Sequence, residues 1–195
     1  MIGEPAIDGQ KKYTYADYVT WPEAERWELL AGIPYNMTPA PSTRHQRVQG
    51  ELFRQIANFL TDKPCEVFSA PFDVRLPRQD EADEEIENIV QPDIAVICDS
   101  SKIDDKGCRG APDWIIEVIS PASSRRDRMV KFYTYERFGV REYWLVTPDD
   151  KTIEVFSLGN ENTYSRPVFY TEEDAIHSKV LAGLVIDLSD LFPAA

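Results

Sequence analysis

Several kinds of feature are scarce or missing in this chain of 195 residues. No run of 18 apolar residues occurs, and Met1-Ile2-Gly3-Glu4-Pro5 has neither a basic head nor an apolar h-region. No membrane span or secretory leader is therefore read, and a cytoplasmic protein is expected. There are only three cysteines, Cys65, Cys98 and Cys108. An odd number without CxxC spacing predicts buried or idle thiols rather than a disulfide framework, and argues against zinc on thiolates. Positive charge is also short: 21 Lys and Arg against 34 Asp and Glu leave a net charge of −13. Such a field repels polyanions, which argues against a generic nucleic-acid coating protein. Repeats, low-complexity stretches and convincing linkers are absent.

The composition is that of an ordinary globular protein, with 43% hydrophobic and 28% charged residues. The length suits one domain over 1–195, with 1–12 expected to be loosely ordered. Charge is unevenly spread. From Arg78 to Asp99 there are eight acids against one arginine, and from Pro121 to Arg141 six bases (Arg125, Arg126, Arg128, Lys131, Arg137, Arg141) against Asp127 and Glu136. A local basic face can thus exist on an acidic whole, although solvated surface accounts for most such charges.

Hydrophobic periodicity gives the elements. Tyr13 to Glu25 reads as a short helix, and Arg26 to Met37 as a hairpin turning at Ala31-Gly32. Thr43 and Gln46 suggest a capping box for a helix whose stripe is Val48, Leu52, Ile56 and Phe59, with His45 and Gln49 on the same face. Glu66 to Leu76 reads as one or two strands broken at Pro71, followed by an acidic loop over 77–87 and a second loop around Gly107 and Gly110. Ser123 or Ser124 can cap a helix running to Phe138 and stopped by Gly139, with Asp127 as the capping acid. Strands are expected at Glu142 to Thr147, Thr152 to Leu158, Ser165 to Tyr170 and Val180 to Ile186. This order predicts an α/β or α+β fold with a mixed sheet flanked by helices.

Two apolar runs carry one acid each: Val90-Gln91-Pro92-Asp93-Ile94-Ala95-Val96-Ile97 and Asp113-Trp114-Ile115-Ile116-Glu117-Val118-Ile119-Ser120. Short, β-branched and without alternation, they read as strands covered on both faces. An unpaired carboxylate there is costly, so each acid needs a cation, donors or a metal. If the strands are neighbours, Asp93, Glu117 and a backbone carbonyl near Val118 can meet at one point, an oxygen set suited to Mg²⁺ or Mn²⁺. Asp127, Lys131 and Tyr135 repeat every four residues on the next helix, which allows Lys131 to be aimed at the strand ends. A metal with an ammonium group beside it can orient water and stabilise charge building on a phosphate.

Pro92-Asp93 followed by Glu117-Val118-Ile119 and a helix resembles the PD-(D/E)XK restriction-endonuclease-like superfamily. With Trp27-Glu28-Leu29-Leu30-Ala31-Gly32, His45, Asp127, Lys131, Tyr135 and Tyr143-Trp144-Leu145-Val146, the pattern is similar to the Uma-two-type endonucleases over roughly residues 13 to 160. The resemblance implies a restriction-endonuclease-like fold and hydrolysis of DNA phosphodiesters with Mg²⁺ or Mn²⁺. It implies Asp93 and Glu117 as metal ligands, Lys131 as the catalytic cation, and Glu28, His45 and Gln49 as accessory residues. DNA would approach over Arg125, Arg126 and Arg128, and a homodimer is compatible with cutting two strands. One departure is plain: Ile119 stands where the superfamily has a lysine two residues after the acid. Two rival readings therefore stand beside the nuclease: an inactive nucleic-acid or protein binding module, and a phosphoesterase acting on a small phosphate.

Overall fold

The apolar acid-bearing runs form neighbouring interior strands of a six-stranded sheet, because β-branched residues on both faces leave no side that tolerates water. The computed structural model describes residues 11–192 except 23, 38, 39 and 122. Residues 1–10 of the expected loose segment lie outside the described residues, and Lys11 and Lys12 carry no regular structure.

In chain order, α1 (Tyr15–Tyr18) precedes the hairpin of β1 (Trp27–Leu30) and β2 (Ile33–Asn36), and then α2 (Thr43–Leu60). Next come β3 (Glu66–Ser69), β4 (Val74–Arg75), β5 (Ile89–Val90), β6 (Ile94–Ile97), β7 (Ile103–Asp104), β8 (Gly107–Arg109) and β9 (Trp114–Val118). A π-helical segment (Arg126–Lys131) runs into α3 (Phe132–Phe138). The chain ends with β10 (Glu142–Thr147), β11 (Thr152–Ser157), β12 (Val168–Thr171), β13 (Ala175–His177) and β14 (Val185–Asp187). One sheet runs β12-β11-β10-β9-β6-β3, the other β2-β1-β5-β4-β8-β7, and β13-β14 stand alone.

Strands β9 and β10 are parallel and joined by the π segment and α3, while β6 and β9 are antiparallel with Ile94 opposite Ile116. One side of this sheet packs Val48, Leu52 and Ile56 of α2 on Trp114, Ile116 and Trp144. The other packs Ile115, Tyr135 and Tyr143 with Leu30 and Val74 of the second sheet. The α+β mixed-sheet expectation therefore holds, as do the Ala31-Gly32 hairpin and the α2 stripe.

Several local expectations are corrected. The first helix has four residues, ending before Pro22 and closed by Thr14 and Asp17 in a reciprocal cap. Ser42, not Thr43, caps α2, its hydroxyl accepting from the His45 amide at 3.2 Å. The expected loop around Gly107 contains the β7–β8 hairpin, where Gly107 has φ +116° and a Cβ would lie 2.2 Å from the Asp73 carbonyl. Val180 to Ile186 is not one strand: Leu181 and Leu184 turn into the core between β13 and β14. The acidic run is partly internal, because fully buried Arg75 holds Asp83 and, at 2.6 Å, Asp104. Cys65 and Cys98, opposite one another one step beyond the Glu66–Ile97 pair, form a disulfide rather than idle thiols. Cross-strand register brings them together, and a sequence separation of 33 does not reveal it.

Glu142 is fully buried in β10 with four donors. Trp144 Nε1 donates to Oε1 at 2.8 Å, and Oε2 accepts from Ser178 Oγ at 3.1 Å and from the Lys179 and Val180 amides at 3.0 Å. It ties the C-terminal segment to the sheet. Glu142→Ala strands several of those donors in the core and should cost about 2–4 kcal/mol, read as a lower denaturation midpoint; an unchanged midpoint would refute this role. Burial pushes the remaining thiol, Cys108, up to about 12. Thiol titration at about pH 8 should find no reactive group in the native protein, one after denaturation and three after reduction.

Candidate active site

One end of the central sheet carries both strand acids. Asp93 immediately precedes β6 and Glu117 lies in β9, one step beyond the Ile94–Ile116 pair, so the register sets them side by side. The Asp93 Oδ2 atom accepts from the Val118 amide at 2.8 Å and lies 3.2 Å from His45 Nε2 on α2. Gln49, one turn further along α2, donates to the Asp93 backbone carbonyl at 2.8 Å. Burial opposes charge on His45, but its bond to Asp93 and the charge of that carboxylate outweigh burial and raise its pKa.

Glu117 is nearly inaccessible. Its Oε1 accepts from Lys131 Nζ at 2.9 Å and from the Tyr135 hydroxyl at 2.8 Å. Lys131 also contacts Glu28 Oε1 of β1 at 2.8 Å and lies 3.7 Å from Asp127 Oδ1. Glu28 Oε1 further accepts from the Gln91 amide at 2.9 Å, which clamps β1 to the approach to β6. The π segment separates Asp127 from Lys131 by its wide turn, and the Asp127 carbonyl accepts from the Tyr143 hydroxyl at 3.1 Å.

Four carboxylates thus gather around two permanent cations, Lys131 and Arg126. Burial opposes charge on Lys131, yet Glu117, Glu28 and Asp127 outweigh it and hold its pKa above that of an ordinary lysine. Burial pushes the Glu117 carboxyl up to about 8, with Lys131 opposing and Asp127, Asp93 and Glu28 adding to the shift. Asp127 is raised as well, first by burial. Two oxygens in this cluster, Glu28 Oε2 and Asp127 Oδ1, are buried without a hydrogen bond.

A cavity of about 440 Å³ opens on this cluster, lined by Asp93, Glu117, Val118, Asp127, Lys131 and Arg126 among others. Among the described residues no group of three His, Cys, Asp or Glu side chains is arranged as a metal cage. The donors nevertheless fit a hard cation that retains water. The side-chain bonds of Asp93 fall on Oδ2 and those of Glu117 on Oε1, which leaves each acid a second oxygen. Mg²⁺ commonly uses only one or two carboxylates, and the local excess of negative charge favours a cation.

The expected residues Asp93, Glu117, Lys131, Glu28, His45 and Gln49 are therefore brought together. Of the three arginines only Arg126 joins them. Arg125 is exposed, Arg128 pairs with Glu154, and Arg126 turns inward, its Nε 3.7 Å from Glu28 Oε2 and its guanidinium over Tyr35. Exposed Met129 and Tyr133 interrupt the basic surface. Asp127 serves the lysine cluster rather than a Ser124 cap, and the Tyr135 hydroxyl orients Glu117. The four-residue repeat of Asp127, Lys131 and Tyr135 was the available signal for both. Ile119 is buried in the core cluster that includes Tyr143, so the in-strand lysine position is apolar here.

Comparison with known proteins agrees with this architecture. A family described as "Putative restriction endonuclease", Uma2, matches residues 15–189. "Uncharacterized protein slr1290" of Synechocystis sp. is 23% identical over 156 residues, 78% of each chain. A crystal structure of "a putative nuclease belonging to DUF820" from Anabaena variabilis superposes with a TM-score of 0.72 at 21% identity, covering 92% of this chain and 97% of that one.

The buried charge makes a pH prediction. With its folded pKa near 8 against 4.5 for an exposed carboxyl, Glu117 holds a proton that the unfolded chain has released between those values. Stability therefore falls as pH rises through that window, and raised Asp127 and His45 act with the same sign. Glu117→Gln should flatten this slope, because the group that titrates in the window is gone. Thermal melts from about pH 5 to pH 8 test it, and an equal or steeper slope in the variant would refute it.

Proposed function

The chain belongs to the Uma2 family, and from that premise we propose that it is a Mg²⁺- or Mn²⁺-dependent endonuclease that hydrolyses DNA phosphodiester bonds. The observation that carries this reading is the Lys131 ammonium, 2.9 Å from Glu117 Oε1 in the cavity that Asp93 also lines. It supplies from the crossover helix the cation that Ile119 cannot supply from the strand.

Asp93, Glu117 and the Val118 carbonyl would hold the metal. When bound, it would polarise the phosphate, lower the pKa of coordinated water and neutralise charge developing on oxygen. The chain's own residues prepare that place. His45 and the Val118 amide fix Asp93 through Oδ2, while Tyr135 and Lys131 fix Glu117 through Oε1. The second carboxylate oxygens are then already oriented. Glu28 holds Lys131 from β1 of the second sheet, so its ammonium is fixed at the cavity wall before substrate binds. In the hydrolysis the water oxygen bonds to phosphorus, the bond to the leaving oxygen breaks, and that oxygen takes a proton. A positioned ammonium stabilises the negative charge that accumulates on the way.

Purified protein incubated with plasmid and Mn²⁺ tests the reading. Asp93→Ala and Glu117→Ala should abolish cleavage and calorimetric Mn²⁺ binding, and Lys131→Met should lower the rate by about 10²–10³-fold with Mn²⁺ binding retained. Cleavage that survives unchanged in Asp93→Ala would refute the assigned site. Mn²⁺ binding without cleavage of any nucleic acid would favour the binding-module alternative.

A further inference from the structure

The guanidinium groups of the cavity differ in what holds them. Arg126 is drawn inward to Glu28 and Asp127, and Arg26 Nε donates to Gln91 Oε1 at 3.0 Å. Arg44, in the first turn of α2 beside His45, is 54% exposed. Its ion pair reaches from α2 to the turn after β10, where Asp149 Oδ1 lies 2.6 Å from Arg44 Nη1. Asp149 is 66% exposed, and both residues line the cavity.

Exposed ion pairs are weakly held, because water screens both charges and two side chains lose rotamer freedom in meeting. A phosphate diester offers a guanidinium two oxygens in fork geometry, a better match than the single-oxygen contact to Asp149. A polyanion approaching four carboxylates also needs positive charge at the rim, and of the cavity arginines Arg26, Arg44 and Arg126 it is Arg44 that is exposed. We propose that Arg44 is a phosphate-binding residue at the mouth of the cavity, occupied by Asp149 until a backbone phosphate of a nucleic acid displaces that carboxylate. The proposal rests on the nuclease reading and adds to it a contact outside the metal centre. Among the described residues Arg44 pairs with Asp149 and with neither Asp93 nor Glu117, so the phosphate assigned to it is one other than that cleaved.

Asp149 is then a built-in competitor, and the two partners have opposite effects. Binding of a fluorescein-labelled, phosphorothioate-linked single-stranded DNA, followed by anisotropy in Mg²⁺, measures them. Arg44→Ala should weaken binding about five- to tenfold and reduce the slope of log affinity against log salt by about 0.7, the value for one phosphate left unneutralised on a single strand. Asp149→Ala should tighten binding about two- to fivefold, and this gain should vanish in the Arg44→Ala background. Asp150→Ala, which removes a neighbouring exposed charge outside this ion pair, should change little.

Opposite signs with full coupling support the proposal. Asp149→Ala tightening equally in both backgrounds, or matched by Asp150→Ala, would reduce it to a general field and overturn it. Unchanged binding in Arg44→Ala, with the parent binding normally, overturns it while leaving the nuclease reading intact. A parent protein that neither binds nor cuts DNA overturns both.

Discussion

The structure depends on one buried ammonium group. Lys131 meets Glu28 from the second sheet, Glu117 from the central sheet and Asp127 from its own helical segment, so a single charge joins three parts of the fold. Such a cluster is a poor source of net stability, because dehydrating four charges consumes most of what their attraction returns. Its effect is geometric. Removing any member leaves the others charged in a dry interior, which holds every partner in one place. A site that must present two carboxylates to a metal and an ammonium to a phosphate gains from that rigidity.

A second buried strand acid shows what distinguishes a site from a structural carboxylate. Glu142 in β10 is as buried as Glu117, yet both its oxygens are met by neutral donors and it does not line the cavity. Glu117 is bonded through one oxygen, stands among three other acids and opens on the cavity. Burial alone marks neither as functional; incomplete satisfaction beside accessible space does. The acid surplus also explains why this end of the sheet favours a cation.

Much of the architecture was legible along the chain. The Ala31-Gly32 turn, the Val48, Leu52, Ile56 stripe and the apolar runs of β6, β9 and β10 each follow a local rule of period or turn chemistry that the folded environment reinforces. Boundaries were less legible where side chains compete for a role. Ser42 and Thr43 are both competent caps, and only the direction of chain entry selects Ser42. Leu181 and Leu184 continue an apolar pattern that resembles a strand, but the bonds of Ser178, Lys179 and Val180 to Glu142 turn the chain there. The spacing of Asp127, Lys131 and Tyr135 revealed a shared side, whereas what that side faced depended on a sheet assembled from distant segments.

The sequence by itself determined that two acids would lie in apolar runs and that a lysine would follow on a helix. These are statements about neighbours in the chain, which period and burial cost decide. Only the tertiary structure decided that Asp93 and Glu117 share one end of adjacent antiparallel strands, that Glu28 arrives from another sheet to hold Lys131, and that Cys65 meets Cys98. It also decided that Arg126 turns inward while Arg44 stays at the rim. Register and inter-sheet packing bring together residues tens of positions apart, and no local pattern encodes the distance between them.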